Sequence, residues 1–182
     1  MPEDLTWDTL DSRVAYSCEG FDIRTDDVRF PSGDEGEFDY LEEGESVVIL
    51  PLTPDDDVVV IEEWRQAVKR INRGLPAGSV ESDDEDPEAA VHRELAEETG
   101  YQAGTVEHLT SAEPANGFAD AVFHYFVARD CKPTAKQALD DNESITVGTT
   151  SFNSMIDAAR ADNLWDGRSV TAVVYYALFE RY

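Results

Sequence analysis

The segment DPEAAVHRELAEETG, residues 86–100, carries its own start and stop signals. Asp86 has the short acceptor side chain that an N-cap needs, Pro87 suits the first helical position, and Glu88 suits the positive end of the helix dipole. Gly100 suits the left-handed residue just beyond a helix end. The pattern predicts a helix over 87–99. Within it Glu94, Glu97 and Glu98 stand at i, i+3 and i+4, so their carboxylates project from one face. Like charges at that spacing destabilise a helix. Clustered hard oxygen ligands are what Mg²⁺ or Mn²⁺ requires, with waters and substrate phosphates completing the shell. A solvated acidic helix face is the plain alternative.

Outward from this helix the pattern changes period. Residues 46–52 (SVVILPL) and 58–61 (VVVI) are near-continuous apolar runs separated by Thr53-Pro54-Asp55-Asp56-Asp57. They read as strands buried on both faces and joined by a solvated turn. Further upstream, Phe21, Ile23, Val28 and Phe30 fall near period two, with Thr25-Asp26-Asp27 read as a hairpin turn between them. Pro31-Ser32-Gly33 breaks the chain before a strand over 37–41. Downstream, 121–128 reads as a strand and 151–161 as a helix. A last helix over 169–181 has Val170, Val173, Val174, Ala177 and Leu178 at helical spacing. Strands, a helix, strands and helices make an α/β chain without the repeated alternation of a doubly wound fold.

The chain has 182 residues, 41% of them hydrophobic, and 40 acidic against 14 basic side chains give a net charge of −26. That length suits one domain with a substantial core. So negative a field repels phosphate backbones and anionic membrane surfaces, which argues against nucleic-acid and membrane partners. No apolar run approaches a membrane span, and the acidic N-terminus is unlike a secretory signal, so a soluble cytoplasmic protein is expected. Cys18 and Cys131 form neither a disulfide framework nor a zinc knuckle. His92 reads as structural, and His108 and His124 have no partners at ligand spacing. Three lysines stand against eleven arginines. An acid-rich, lysine-poor surface resembles that of proteins from salt-accumulating halophiles, which predicts salt-dependent stability.

Gly78, Glu85 and the run Arg93-Glu94-Leu95-Ala96-Glu97-Glu98-Thr99-Gly100, with Tyr101 in the final apolar place, together resemble the Nudix hydrolase signature. One departure is visible: six residues separate Gly78 from Glu85, where that family usually has five. The resemblance extends through 38–40, 46–51, 60–65 and 75–78, then 114–118, 142–145 and 167–178, and it narrows to the ADP-ribose pyrophosphatase branch. A second departure is Gly74, where the branch usually has a glutamate before Leu75-Pro76-Ala77-Gly78. The resemblance implies a Nudix-type α/β/α sandwich with a mixed sheet and N-terminal antiparallel strands. It also implies two regions: residues 1–46, an N-terminal strand region serving dimerisation, and residues 47–182, the hydrolase domain.

Carried over by position, Glu94 and Glu98 are principal metal ligands, with Glu97 contributing directly or through water and Ala77 through its carbonyl. Arg93 organises a glutamate of the motif, Glu85 does similar work or takes a second metal, and Gly78 and Gly100 belong to the structural motif. The catalytic base comes from the later acidic loop, where Glu143 is preferred and Asp141 and Glu97 remain open. Arg65 could meet a phosphate or stack on a base, and Trp64 and Phe118 could supply aromatic surface. Surface pairing of Arg65 with Glu62 or Glu63 and ordinary packing of the aromatics are the alternatives. The implied reaction is Mg²⁺-dependent hydrolysis of ADP-ribose to AMP and ribose 5-phosphate, by a homodimer. Another nucleoside diphosphate derivative (a sugar nucleotide or a dinucleotide) and a non-catalytic nucleotide-sensing module are the rivals.

Overall fold

In the computed structural model, residues 4–18, 20–140 and 142–181 are described, so Asp141 lies outside them. The strands are β1 (Asp8–Ser17), β2 (Asp22–Arg29), β3 (Glu35–Glu42), β4 (Glu45–Pro51), β5 (Asp57–Arg65), β6 (Arg70–Gly74), β7 (Ala77–Ser79), β8 (Thr105–Ala112), β9 (Val122–Arg129) and β10 (Ile145–Ser151). The helices are α1 (Pro87–Thr99), α2 (Phe152–Arg160) and α3 (Gly167–Phe179). The chain divides into two compact units. One is the described part of Met1–Glu45 with Glu113–Val122; the other is Ser46–Ala112 with the described part of Phe123–Tyr182.

The larger unit is built on a four-stranded sheet of order β7-β4-β9-β8. Alternation along β4 sends Val47 and Ile49 to one face, where they pack with Ala90, Val91 and Leu95 of α1. Val48 and Leu50 face the other way, among Phe152 and Met155 of α2 and Ala172, Val173 and Tyr176 of α3. Helices therefore cover both faces, giving the α/β/α sandwich. Each fully buried Val or Leu contributes about 1.5–3 kcal/mol, which is why β4 needs no polar face. A second sheet, of order β10-β5-β6, brings Val58 and Val60 into the α2–α3 core.

α1 begins and ends as its sequence predicts. Asp86 accepts from the Ala89 N–H at 2.9 Å, and Gly100 adopts φ 74° and donates to the Ala96 carbonyl. Ser151 caps α2. α3 starts two residues earlier than expected, because Asp166 caps it, and ends at Phe179 rather than at 181.

In the smaller unit, β1, β2 and β3 form an antiparallel sheet with β2 in the centre. Here one expectation fails. Thr25-Asp26-Asp27 is not a turn but the middle of β2, in register with Arg13, Ser12 and Asp11 on one side and with Asp39, Phe38 and Glu37 on the other. Its polar side chains find partners across the ladder: Thr25 Oγ1 donates to Asp39 at 2.6 Å, and Arg13 pairs with Asp27 at 2.9 Å. A ladder on both sides of the strand overrides the local turn preference of Thr-Asp-Asp. β1, absent from the sequence expectation, is exposed along its whole length. Among the described residues no helix is long and apolar enough to cross a membrane.

Candidate active site

A cleft of about 310 Å³ opens between β7, α1 and the loop before β10. Its lining includes Ala77 and Gly78 from β7, Arg93, Glu94, Glu97 and Glu98 from α1, and Asp140 and Glu143 from the loop. The i, i+3, i+4 spacing on α1 thus brings its three glutamates to one cavity, and tertiary packing adds Glu143.

The three glutamates differ in environment. Glu98 is only 4% exposed, and its Oε2 accepts from the Ala77 N–H at 3.0 Å. Burial pushes its pKa up to about 8; the Ala77 N–H opposes the shift, while Glu94, Glu143 and Glu63 add to it. Burial also raises the Glu94 pKa, against the pull of Arg93. Glu97 is half in solvent. Gly78 makes the arrangement possible, since a Cβ there would lie 2.1 Å from the Glu94 carboxyl carbon. The glycine is required by close approach, not by a positive φ.

Arg93 organises the cleft's edge. Its Nη1 meets Glu94 at 2.7 Å and Glu97 at 3.3 Å, and its Nη2 donates to the Ser79 carbonyl at 2.9 Å and to Asp84 at 2.8 Å. The bond to Asp84 is the main cause of its raised pKa. This corrects the expectation for Glu85, which is exposed and outside the cleft. Five residues separate Gly78 from Asp84, so the residue at the family's usual spacing is present as an aspartate. Counting from Gly78 rather than searching for a glutamate would have found it.

Gly74 also acquires a reason. A Cβ there would lie 2.9 Å from Ser169 Oγ and 3.0 Å from Asp166 Oδ2. Ser169 Oγ accepts from the Leu75 N–H at 2.8 Å and donates to Asp166 at 2.6 Å. The N-terminus of α3 thus holds the strand that leads to Ala77. Burial would raise the Asp166 pKa, but Arg168 and the Ser169 bonds hold it below the ordinary value.

Of the other candidates, Arg65 pairs with Glu63 at 2.7 Å. Trp64 is 47% exposed, and its indole donates to Gln66 at 3.0 Å. Phe118 belongs to the smaller unit and is 63% exposed. None of the three lines the cleft. Glu143 does, and its Oε2 accepts from the Asp140 N–H at 3.0 Å.

The donor set fits a divalent cation: buried Glu98, half-buried Glu94 and solvent-facing Glu97 are hard oxygen ligands facing one cavity beside Glu143. Among the described residues no three such side chains already converge as an ion cage. Arg93 Nη1 bridges Glu94 and Glu97 instead, so metal entry requires those carboxylates to turn toward Glu98.

Comparison with known proteins agrees with this geometry. Residues 43–172 match the family described as NUDIX domain. An ADP-ribose pyrophosphatase of Bacillus subtilis (strain 168) is 27% identical over 94% of this chain and 93% of its own. A methanol dehydrogenase activator of Bacillus methanolicus is 28% identical with the same coverage. A solved structure titled "Crystal structure of ADP compounds hydrolase" shares the fold with a TM-score of 0.83, at 21% identity, over 96% of this chain and 94% of that one. With the family's match spanning most of the chain and its motif glutamates lining one cleft, this protein belongs to the Nudix family.

Proposed function

We propose that this protein is a metal-dependent pyrophosphohydrolase that cleaves ADP-ribose to AMP and ribose 5-phosphate. The observation that carries the reading is the convergence of Glu94, Glu97, Glu98 and Glu143 on one cleft. Glu94 and Glu98, with Glu97 and the Ala77 carbonyl, would hold Mg²⁺ or Mn²⁺. Bound there, the cation would offset the charge of the pyrophosphate and make water a better nucleophile. Arg93 orients Glu94, and Asp84 orients Arg93. Glu143 takes a proton from the attacking water as the new P–O bond forms and the anhydride P–O bond breaks. The proton then passes to solvent. A positioned base of this kind is typically worth about 10²–10⁴-fold in rate.

The test is turnover of ADP-ribose, ADP-glucose, NADH and a diadenosine polyphosphate in molar KCl with MgCl₂. Preference for ADP-ribose, abolished by EDTA and by Glu98→Gln, is the expected result. Glu143→Gln should keep the fold and metal binding while lowering kcat about 10²-fold or more. A full-rate Glu143→Gln enzyme moves the base to Glu97 or Asp141. Preference for another sugar nucleotide or dinucleotide keeps the mechanism and discards the substrate. That second reading is favoured by Gly74, whose place beside Asp166 and Ser169 leaves no room for the branch's glutamate. Nucleotide binding with no turnover would point to a sensing module.

The cytoplasmic, homodimeric state belongs to the same proposal. Support for dimerisation through residues 1–46 is the exposure of Leu10, Val14 and Tyr16 on β1. Sedimentation of the chain at monomer mass in molar KCl would remove it.

A further inference from the structure

Residues 64–80 contain no acidic side chain, although the chain has 40 of them, and they contain Arg65, Lys69, Arg70 and Arg73. This segment forms the end of β5, the tip of the hairpin, β6 and then β7, so it runs directly into the cleft. In a molecule of charge −26, it is where an anionic substrate meets least repulsion. Cross-strand register puts Arg65 opposite Arg70, and Glu63 opposite Asn72. Like charges directly opposite are unfavourable, and such a pair needs compensation. Arg65 has it from Glu63. Arg70 has only the Asn72 amide oxygen, at 3.0 Å from Nε, and the Trp165 ring, 4.5 Å from its guanidinium carbon; among the described residues no carboxylate pairs with it. Arg168, next to Asp166, adds a third guanidinium to the crevice that holds Glu63, Arg65 and Asn72.

Trp165 is 65% exposed, and nothing in the sequence or the fold requires an indole there. Its contact with Arg70 fixes a flat aromatic surface beside the cationic cluster. The crevice adjoins the cleft in the covalent sense too. Gly74 in the crevice and Ala77 in the cleft are three residues apart, a reach of about 10 Å in extended chain. Glu63 is in register with Ile145, two residues beyond Glu143.

We propose that Arg65, Arg70 and Arg168, together with Trp165, form the subsite for the nucleoside monophosphate half of the substrate, the arginines taking the phosphate and Trp165 stacking on the base. The proposal rests on the pyrophosphohydrolase reading and adds which end of the substrate lies where. It also assigns the aromatic surface to Trp165 rather than to Trp64 or Phe118.

The experiment titrates AMP, and separately ribose 5-phosphate, into the full chain with EDTA at fixed KCl, read by calorimetry and tryptophan fluorescence. Wild-type protein should bind AMP about tenfold more tightly than ribose 5-phosphate, the ordinary worth of one base–aromatic stack. Trp165→Ala and Arg70→Ala should each weaken AMP about tenfold, while Trp165→Phe keeps most of the affinity. Arg160→Ala, a charge-matched control in an exposed pair with Asp157, should change nothing. In turnover, Trp165→Ala should raise KM for ADP-ribose about tenfold, with kcat changed less than about twofold. Equal AMP affinity in wild type, Trp165→Ala and Arg70→Ala, with all three folded by circular dichroism, overturns the subsite even if ADP-ribose is hydrolysed normally. Loss of AMP binding in both variants, in a protein that hydrolyses no ADP-sugar, leaves the subsite standing and removes the catalytic reading.

Discussion

β4 and β1 are both regular strands, yet they are held by different forces. β4 is buried along nearly all its length between α1 on one face and α2 and α3 on the other. β1 is exposed at all ten positions, and what joins its sheet is backbone pairing, small aromatic contacts such as Trp7 against Phe30 at 4.6 Å, and ion pairs of Arg13 and Arg24. The first depends on apolar area removed from water, which salt scarcely weakens. The second depends on exposed charges in an acidic chain, where salt both screens the pairs and screens the wider repulsion. One molecule therefore contains a region indifferent to ionic strength and a region sensitive to it.

The largest effect should come from the buried sheet. Leu95→Ala removes a fully buried side chain between α1 and β4 and should cost about 2–5 kcal/mol in urea unfolding. Val14→Ala on β1 should stay within about 0.5 kcal/mol. Equal losses at the two sites would break the contrast.

A second, smaller effect sharpens it, because the buried region also holds a charge. Glu98 titrates at about 8 when folded and at 4.5 when unfolded, so over that interval the folded state binds more protons. Stability of the metal-free protein should therefore fall as pH rises from 4.5 through 8. Metal-free Glu98→Gln escapes this cost and should outlast the wild type in urea at pH 8, the gap closing toward pH 5. Added Mg²⁺ should stabilise the wild type and leave the glutamine variant behind. A pH-independent difference between the two would contradict the burial of an ionisable carboxyl.

The smallest effect concerns the exposed sheet. Melting temperature should rise between dilute buffer and molar KCl, and proteolytic cutting within 8–42 should slow in parallel. Unchanged melting across that range would remove the halophile-like reading of the surface.

The same contrast explains which elements were legible. α1, the runs of β4 and β5, and the cap of α2 were readable because each is specified locally, by caps or by unbroken apolar side chains. β2 was misread at Thr25-Asp26-Asp27 because a central strand of a polar sheet is stabilised by its neighbours, which a local pattern does not contain. β1 and β6, with mixed polar sequence, gave no periodic signal for the same reason. At the site, Glu94, Glu97 and Glu98 could be placed together by helical spacing alone. Glu85 was preferred to Asp84 by residue type, and only the bond from Arg93 corrected the choice.

The sequence by itself determined the motif helix, its capped ends, its three-carboxylate face, the buried strands and the acid-rich surface, since each follows from spacing or composition within a few residues. Tertiary structure alone decided that Glu143 joins those carboxylates, that Asp84 holds Arg93, that Gly74 makes way for Asp166 and Ser169, and that Arg70 meets Trp165. Each of those contacts joins residues between nine and 95 positions apart. Their energy comes from desolvation and close approach, which exist only once the sheets and helices have packed.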